Sequence, residues 1–414
     1  MSENQEAVFI WGLLYYSVKD IPAAVFERLR GEVEEERWRE GVSALIDANL
    51  LNVSRDREKV SMLLPLKKQY IKFVPEDDPM HRRCLIMWAE CINHLLETAG
   101  DLKSEERPSL HPIVIEILPQ IYHIIVLIIS RPGEDKAVEN LNRMVKRGRN
   151  YFRNYLQSTE ILERLITFYA NYKNTRESIL PMLNKIYGDL LRRQGELEEA
   201  EKRYSEAERL YKKKQDDLGL ANTLKSRGDL LRRQGELEKA EEKYREAEEL
   251  YRKERAALGL ANTLKSQGDL LRRQGKLEEA GKKYREAEEL YKREQANLGI
   301  ANTLKSQGDL LRRQGKLEEV EKKYKEAETL YKKVQDNLGL ANMLKSQGDL
   351  LMRQWKLGEA EKKYEKSEEL YRKLKANLGL ANTFRSQGEY LKRRGKLEEA
   401  EEKYEGAEEL YKKI

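Results

Sequence analysis

From about residue 180 onward, apolar positions fall into two alternating helical stripes. In one stretch Leu220, Leu224, Gly228 and Leu231 share a face, and Leu237, Ala240, Tyr244, Ala247 and Tyr251 share another. Steps of three, four and seven residues put such positions on one side of an α-helix. Between the stripes lies Arg-Gln-Gly-Glu, where Gly235 is placed to end the first helix in left-handed backbone. The pattern returns every 40 residues, with glycine at Gly188, Gly228, Gly268, Gly308, Gly348 and Gly388. A small residue follows each (Ala200, Ala240, Ala280, Val320, Ala360, Ala400), then a tyrosine (Tyr204, Tyr244, Tyr284, Tyr324, Tyr364, Tyr404). A second tyrosine closes each unit, from Tyr211 to Tyr411. Six helix hairpins are therefore predicted over 180–414.

A lone hairpin exposes an apolar face, and stacking the hairpins buries it. Gly228 and Ala240 mark a close approach of two helices, with Tyr244 filling the space beside them. Val320 at the alanine position should strain its unit by ~1–3 kcal/mol. In the joints between hairpins, Asp217, Asn297, Asn337 and Asn377 are candidate caps for the next first helix, and Ala257 breaks that rule. A long coiled coil is excluded, because its seam would run through Gly228 and Gly235.

Leu224, Gly228, Leu231, Gly235, Ala240, Tyr244 and Ala247 resemble the tetratricopeptide signature, on a period longer than the about 34 residues usual there. The lengthened unit is similar to those of kinesin light chains and of the Leu-Gly-Asn spindle-orientation scaffolds. The resemblance implies a mainly α fold, a right-handed α-solenoid of helix hairpins whose first helices line a concave groove. It also implies that the groove holds an extended peptide or a partner helix.

The groove positions so implied are Asn222, Lys225, Asp229, Arg232 and Arg233, then Asn262, Lys265, Asp269, Arg272 and Arg273. They continue as Asn302, Lys305, Asp309, Arg312 and Arg313, and as Asn342, Lys345, Asp349 and Arg353. Each complete set has three bases and one acid, a basic ladder suited to an acidic protein or peptide. The same charges read equally as solvated surface, since Lys225 with Asp229 and Asp229 with Arg233 are spaced as i,i+4 pairs. Met352, Arg385, Glu389 and Lys392 depart from the ladder in the last units. The groove carries few aromatics, so many weak, salt-sensitive contacts are expected. No polar helix follows the sixth hairpin; Leu410 and Tyr411 are expected to face water, a partner or a second copy.

The first 73 residues read differently. Residues 7–18, 21–29 and 34–51 are helix candidates. Leu51-Asn52-Val53-Ser54 and Lys59-Val60-Ser61-Met62 flank a charged turn as a β-hairpin, and 66–73 closes as a helix. Three helices and a hairpin make a winged-helix-like arrangement. The phrases WGLLYYSVKDIPAAVFERL, VSALIDANLLNVS and SMLLPLKKQYIKF resemble the winged-helix end of NB-ARC signalling ATPases, whose fungal members often carry repeats of this length. No G-x-x-x-x-G-K-[ST] phosphate loop occurs, so the chain lacks that family's nucleotide cradle. Residues 74–179 read as an irregular helical spacer, with helix candidates at 80–98, 111–130, 137–156 and 160–172. The leading reading is the regulatory or sensor half of an NB-ARC-like receptor. The alternative is a freestanding cargo or polarity adaptor of the kinesin-light-chain type.

Charged residues make up 37% of the 414, with 79 basic against 73 acidic and a net charge of +6. The signs alternate finely, which fits solvated helix faces and not a nucleic-acid footprint. In the third helix candidate, 43–50 holds no Arg or Lys to read base edges. No uninterrupted apolar run spans a bilayer: 113–129 is broken by Glu116, Pro119, Gln120 and His123. There is no secretory signal, so cytoplasmic placement is the default. His81, Cys84, Cys91 and His94 invite a zinc reading, but two turns of one helix part the cysteines by about 10 Å, too far for one ion. No metal, no cofactor, no catalytic site and no enzyme activity are expected.

Overall fold

The computed structural model describes residues 135–147, 159–171 and 176–413, strand residues 21–22, 52–53 and 59–61, and helical positions 39, 42, 89, 92, 121, 125, 128 and 129. The chain divides into two compact units, 1–214 and 215–414.

In the first unit, β1 (Ile21–Pro22), β2 (Asn52–Val53) and β3 (Lys59–Ser61) form an antiparallel sheet in the order β1-β3-β2. The expected hairpin is present, with Asn52 opposite Ser61 and Val53 opposite Val60. The start of the second helix candidate is corrected: Ile21 and Pro22 are extended and pair with Val60 and Lys59. Proline has no N–H to give a ladder, so it is tolerated in an edge strand such as β1. The winged-helix candidates otherwise fall outside the described residues, apart from helical Arg39 and Val42. So do His81, Cys84, Cys91 and His94.

Of the spacer candidates, two are defined helices, α1 (Asp135–Arg147) and α2 (Thr159–Asn171). Helical Ala89, Ile92, Ile121, Ile125 and Ile128 are fully buried. The first hairpin follows as α3 (Arg176–Gln194) and α4 (Leu197–Lys214). Both α1 and α2 pack on α3, and Tyr187 donates from α3 to Glu163 on α2 at 2.5 Å.

The second unit is five hairpins: α5 (Asp217–Gln234) with α6 (Leu237–Lys253), α7 (Ala257–Arg273) with α8 (Leu277–Arg293), α9 (Asn297–Arg313) with α10 (Leu317–Lys333), α11 (Asn337–Arg353) with α12 (Leu357–Lys373), and α13 (Asn377–Arg393) with α14 (Leu397–Lys412). Each second helix packs on its own first helix and on the next one; successive first helices also touch. The two tyrosines of each hairpin do different jobs. The Tyr284 ring lies against Gly268 of its own hairpin, where a Cβ would come within 2.6 Å of it. The Tyr291 ring lies against Gly299 of the following hairpin, where a Cβ would come within 2.3 Å. These glycines are in helices, so they give up helix propensity to admit an aromatic ring.

The turns follow the pattern read from sequence, with one shift. Gly235 has φ +86° and its N–H bonds the Leu231 carbonyl, the left-handed end expected. The caps of the next helices lie one residue earlier than expected. Asp216 and Asp336 accept from the Gly219 and Gly339 N–H groups at 2.7 and 3.0 Å, while Asp217, Asn297, Asn337 and Asn377 are the first residues inside their helices. The joint is shortened by a left-handed residue at Gln215, Arg255, Gln295, Gln335 and Lys375. Val320 is fully buried, and its N–H bond to Lys316 is 3.2 Å against 3.0 Å for Ala240 and Ala280.

Candidate partner-binding face

On each first helix of the second unit, Leu258, Asn262, Lys265, Asp269 and Arg273 (numbered for α7) lie on one stripe. What each side chain can offer a partner depends on what already holds it. Lys265 donates to Asp269 Oδ2 at 2.8 Å, Tyr284 donates its hydroxyl proton to Asp269 Oδ1 at 2.8 Å, and Arg272 Nε donates to the Tyr284 oxygen at 3.3 Å. The same arrangement joins Lys225, Asp229, Tyr244 and Arg232. Lys305–Asp309–Tyr324 and Lys345–Asp349–Tyr364 repeat it as well. Burial alone would push the Asp269 carboxyl up. The Lys265 ammonium and the bonds from Lys265 and Tyr284 outweigh it and hold the carboxyl below the usual range. The aspartate of each ladder set thus joins the two helices of a hairpin through the tyrosine, and the lysine is spent on that aspartate within its own helix.

The asparagines are held but not used up. Asn262 accepts from the Tyr291 hydroxyl at 2.7 Å and donates to the Leu258 carbonyl at 2.8 Å. Asn222 and Asn342 do the same with Tyr251 and Tyr371, and Asn302 accepts from Tyr331. A primary amide has two acceptor sites and two donors. Each of these exposed asparagines therefore keeps hydrogen-bonding capacity toward solvent.

Arg233, Arg273, Arg313 and Arg353 are exposed at the ends of their helices. Arg273 and Arg313 donate to the carbonyls of Arg232 and Arg272 on the preceding first helix at 3.2 and 3.0 Å. In the last two hairpins the set changes. Met352 replaces the arginine and its sulfur lies 4.0 Å from the Tyr364 hydroxyl; Glu389 replaces the aspartate and pairs with Arg393. Tyr390 is buried and Arg385 and Lys392 are exposed.

Three features escaped the sequence reading. The first is a column of half-exposed leucines, Leu218, Leu258, Leu298, Leu338 and Leu378, at the starts of the first helices. They recur beside the asparagines, but periodicity could not separate them from the core leucines two residues on. The second is an acidic clasp between hairpins. Glu328 accepts from Lys332 on its own helix, from Gln347 on the next first helix and from Lys363 on the next second helix, at 2.6, 2.8 and 3.3 Å. Glu248, Glu288 and Glu368 are held alike. Gln267, Gln307, Gln347 and Gln387, recurring in register, were the available signal. The third is Trp355, standing where other turns have glycine. Glu278 and Glu279, by contrast, are exposed on their second helix.

No group of three or more His, Cys, Asp or Glu able to hold a metal occurs among the described residues. No described helix is long and apolar enough to cross a membrane.

Stacked hairpins of this kind make a helical-repeat solenoid, the architecture of a protein-binding scaffold. Residues 178–253 and 259–333 match the tetratricopeptide repeat family model, so the chain carries tetratricopeptide repeats. No curated protein matches the sequence. Among solved structures, aspartyl phosphate phosphatase F from Bacillus subtilis aligns at 13% identity and TM-score 0.56, over 99% of this chain and 95% of that one. The Rap conjugation gene regulator of plasmid pLS20, solved in complex with the Phr* peptide, aligns at 15% identity and TM-score 0.54, over 79% and 96%. A signal transduction ATPase with numerous domains, bearing a tetratricopeptide repeat sensor, from Pyrococcus horikoshii aligns at 11% identity and TM-score 0.51, over 99% of this chain and 63% of that one. At these identities the likeness is one of fold.

Proposed function

We propose that the chain is a non-catalytic interaction scaffold or sensor that holds an extended partner segment across its first helices. The observation that carries this reading is the repeated stripe of half-exposed leucine, asparagine with spare capacity, and exposed terminal arginine. Apolar side chains of the partner would lie on Leu258 and Leu298, its backbone on Asn262 and Asn302, and its carboxylates near Arg273 and Arg313. The direct packing of successive first helices supports their lining the inner, concave side. Lys265, Asp269 and their counterparts act here as positioning groups, because their charges are already paired. An acidic partner fits the arginines that remain.

The wider role we propose is the sensor part of an NB-ARC-like receptor, with 1–73 a winged-helix-like module, 74–179 a spacer and 180–414 the repeats. The β1-β3-β2 order favours the winged-helix reading, since a strand ahead of the hairpin pairs with the hairpin's second strand. A phosphate-loop coding sequence in frame upstream of Met1 is the observation that would support the receptor setting.

Selection of displayed random peptides on the full chain tests the face itself. Acidic segments with spaced apolar residues should emerge, lose binding to the L258S/L298S double variant, and weaken with salt less steeply in R273E. Selected peptides that are basic, or indifferent to the leucine changes, would remove the proposal.

A further inference from the structure

Five of the six turns inside the hairpins hold a left-handed glycine, at Gly195, Gly235, Gly275, Gly315 and Gly395. The sixth holds Trp355, with φ +61° and 70% of its surface exposed. Left-handed backbone disfavours any residue with a Cβ. The indole fills no part of the core cluster between its hairpin and the next, which joins Met352, Ala360 and Tyr364 to Tyr390, Leu391 and Ala400. Neither backbone nor packing calls for tryptophan here, and such breaks in a local rule concentrate at functional positions.

The surroundings of the ring point to its use. Arg393 follows the register of Arg273 and Arg313. Its guanidinium stands 5.9 Å from the Trp355 ring centroid, and it pairs with Glu389 at 3.2 Å. Arg353 and Lys392 are exposed and make no ion pair among the described residues. Lys356 and Arg394 reach Glu321 and Glu361 only at 3.8 and 3.7 Å, in exposed pairs that a ligand can displace. The result is one exposed aromatic ring beside the Arg393 guanidinium, with Arg353 and Lys392 exposed at the C-terminal ends of α11 and α13; tryptophan and arginine are enriched where interfaces concentrate their energy.

We propose that Trp355, with Arg353, Lys392 and Arg393, is a docking point for an acidic segment of a partner protein that carries an apolar side chain. The apolar side chain covers the indole, and the segment's carboxylates pair with the arginines and lysine. Charge complementarity sets the sign of the partner. A single nucleic-acid strand is disfavoured: it needs successive stacking platforms, and the neighbouring turns offer glycine followed by exposed glutamates, Glu318 and Glu319 on one side and Glu398 and Glu399 on the other. This docking point shares the register of the terminal arginines with the leucine–asparagine stripe, but its anchor, Trp355, is no part of that stripe.

The test uses the full chain and a fluorescein-labelled short peptide of Glu and Ser with one central Phe, read by anisotropy. W355G restores the glycine of the other turns, so its unfolding midpoint should be no lower than that of the wild type. Its affinity for the peptide should fall about tenfold or more, as should that of the wild type for the peptide with Ala in place of Phe. R393Q should weaken binding, and L258S/L298S should leave it unchanged. The proposal is overturned by failure of the wild type to bind, or by equal binding of W355G or of the Ala peptide. Loss in L258S/L298S would also overturn it by putting the peptide on the inner face. Trp355-dependent binding of oligo-dT or anionic vesicles in place of the peptide would assign the site to another class of partner.

Discussion

A glycine in these repeats means different things at different positions, and the neighbour decides which. At Gly268 an added methyl group would meet the Tyr284 ring at 2.6 Å, so overpacking outweighs the gain in helix propensity. Gly268→Ala should destabilise by about 1–3 kcal/mol in urea unfolding. At Gly281, inside α8, the nearest atom is a Leu310 methyl at 3.5 Å, an ordinary contact. There the same change should stabilise by about 0.5–1 kcal/mol. Opposite signs for the two variants are the expected outcome; equal effects would mean that the rings are not seated as described. Asp269→Ala would leave the Tyr284 hydroxyl and the Lys265 ammonium without their acceptor, at a cost of about 1–3 kcal/mol by the same measurement. The sequence made the Gly–Tyr pairing legible, because both recur in one register. It did not separate Lys265 and Asp269 from the binding positions, since an i,i+4 pair looks alike on a free face and beside a buried tyrosine.

Between elements, the Glu328 type of clasp decides how one hairpin holds the next. Burial would raise its carboxyl, but the bonds from Lys332 and Gln347, with the Lys363 charge, bring it from the ordinary 4.5 down to about 2. Glu248, Glu288 and Glu368 are also lowered. A carboxyl depressed in the folded state contributes stability that is complete above its unfolded pKa and is lost as pH falls through the folded one. Thermal stability should therefore decline from about pH 4.5 toward pH 2. Glu328→Gln should flatten that decline; an unchanged slope would deny the clasp its part. In sequence only the recurring glutamines pointed to it, because the glutamates run among many others on the second helices and only the packing picks out one per hairpin.

At the scale of the second unit, the glutamate clasp and the tyrosine–glycine contact between hairpins have the same address one repeat later. Deleting residues 257–296 would leave Glu248 facing Gln307 and Lys323, and the Tyr251 ring facing Gly299, the partners that Glu288 and Tyr291 now have. Stability in a stacked array is close to a sum over units and nearest-neighbour interfaces. The deleted chain should fold, with helical circular dichroism reduced in proportion and cooperative unfolding retained at a lower midpoint. Aggregation or a broad, non-cooperative transition would show that the hairpins are not interchangeable. Tyr251, whose ring lies against Gly259 of the following hairpin, is 3% exposed, and Tyr411 of the last described hairpin is 39% exposed.

The 40-residue register, the hairpin with its left-handed glycine turn, and the small residues that admit the tyrosine rings follow from the sequence alone. They are local or strictly periodic properties, and a period needs no coordinates. Which polar groups remain available to a partner was decided only by tertiary structure. Asp269 is taken by the Tyr284 hydroxyl of the neighbouring helix and by Lys265 of its own, Asn262 keeps part of its capacity, and Leu258 stays half-exposed. Those outcomes depend on what each side chain meets across a helix interface, and a chain read along its length does not contain those distances.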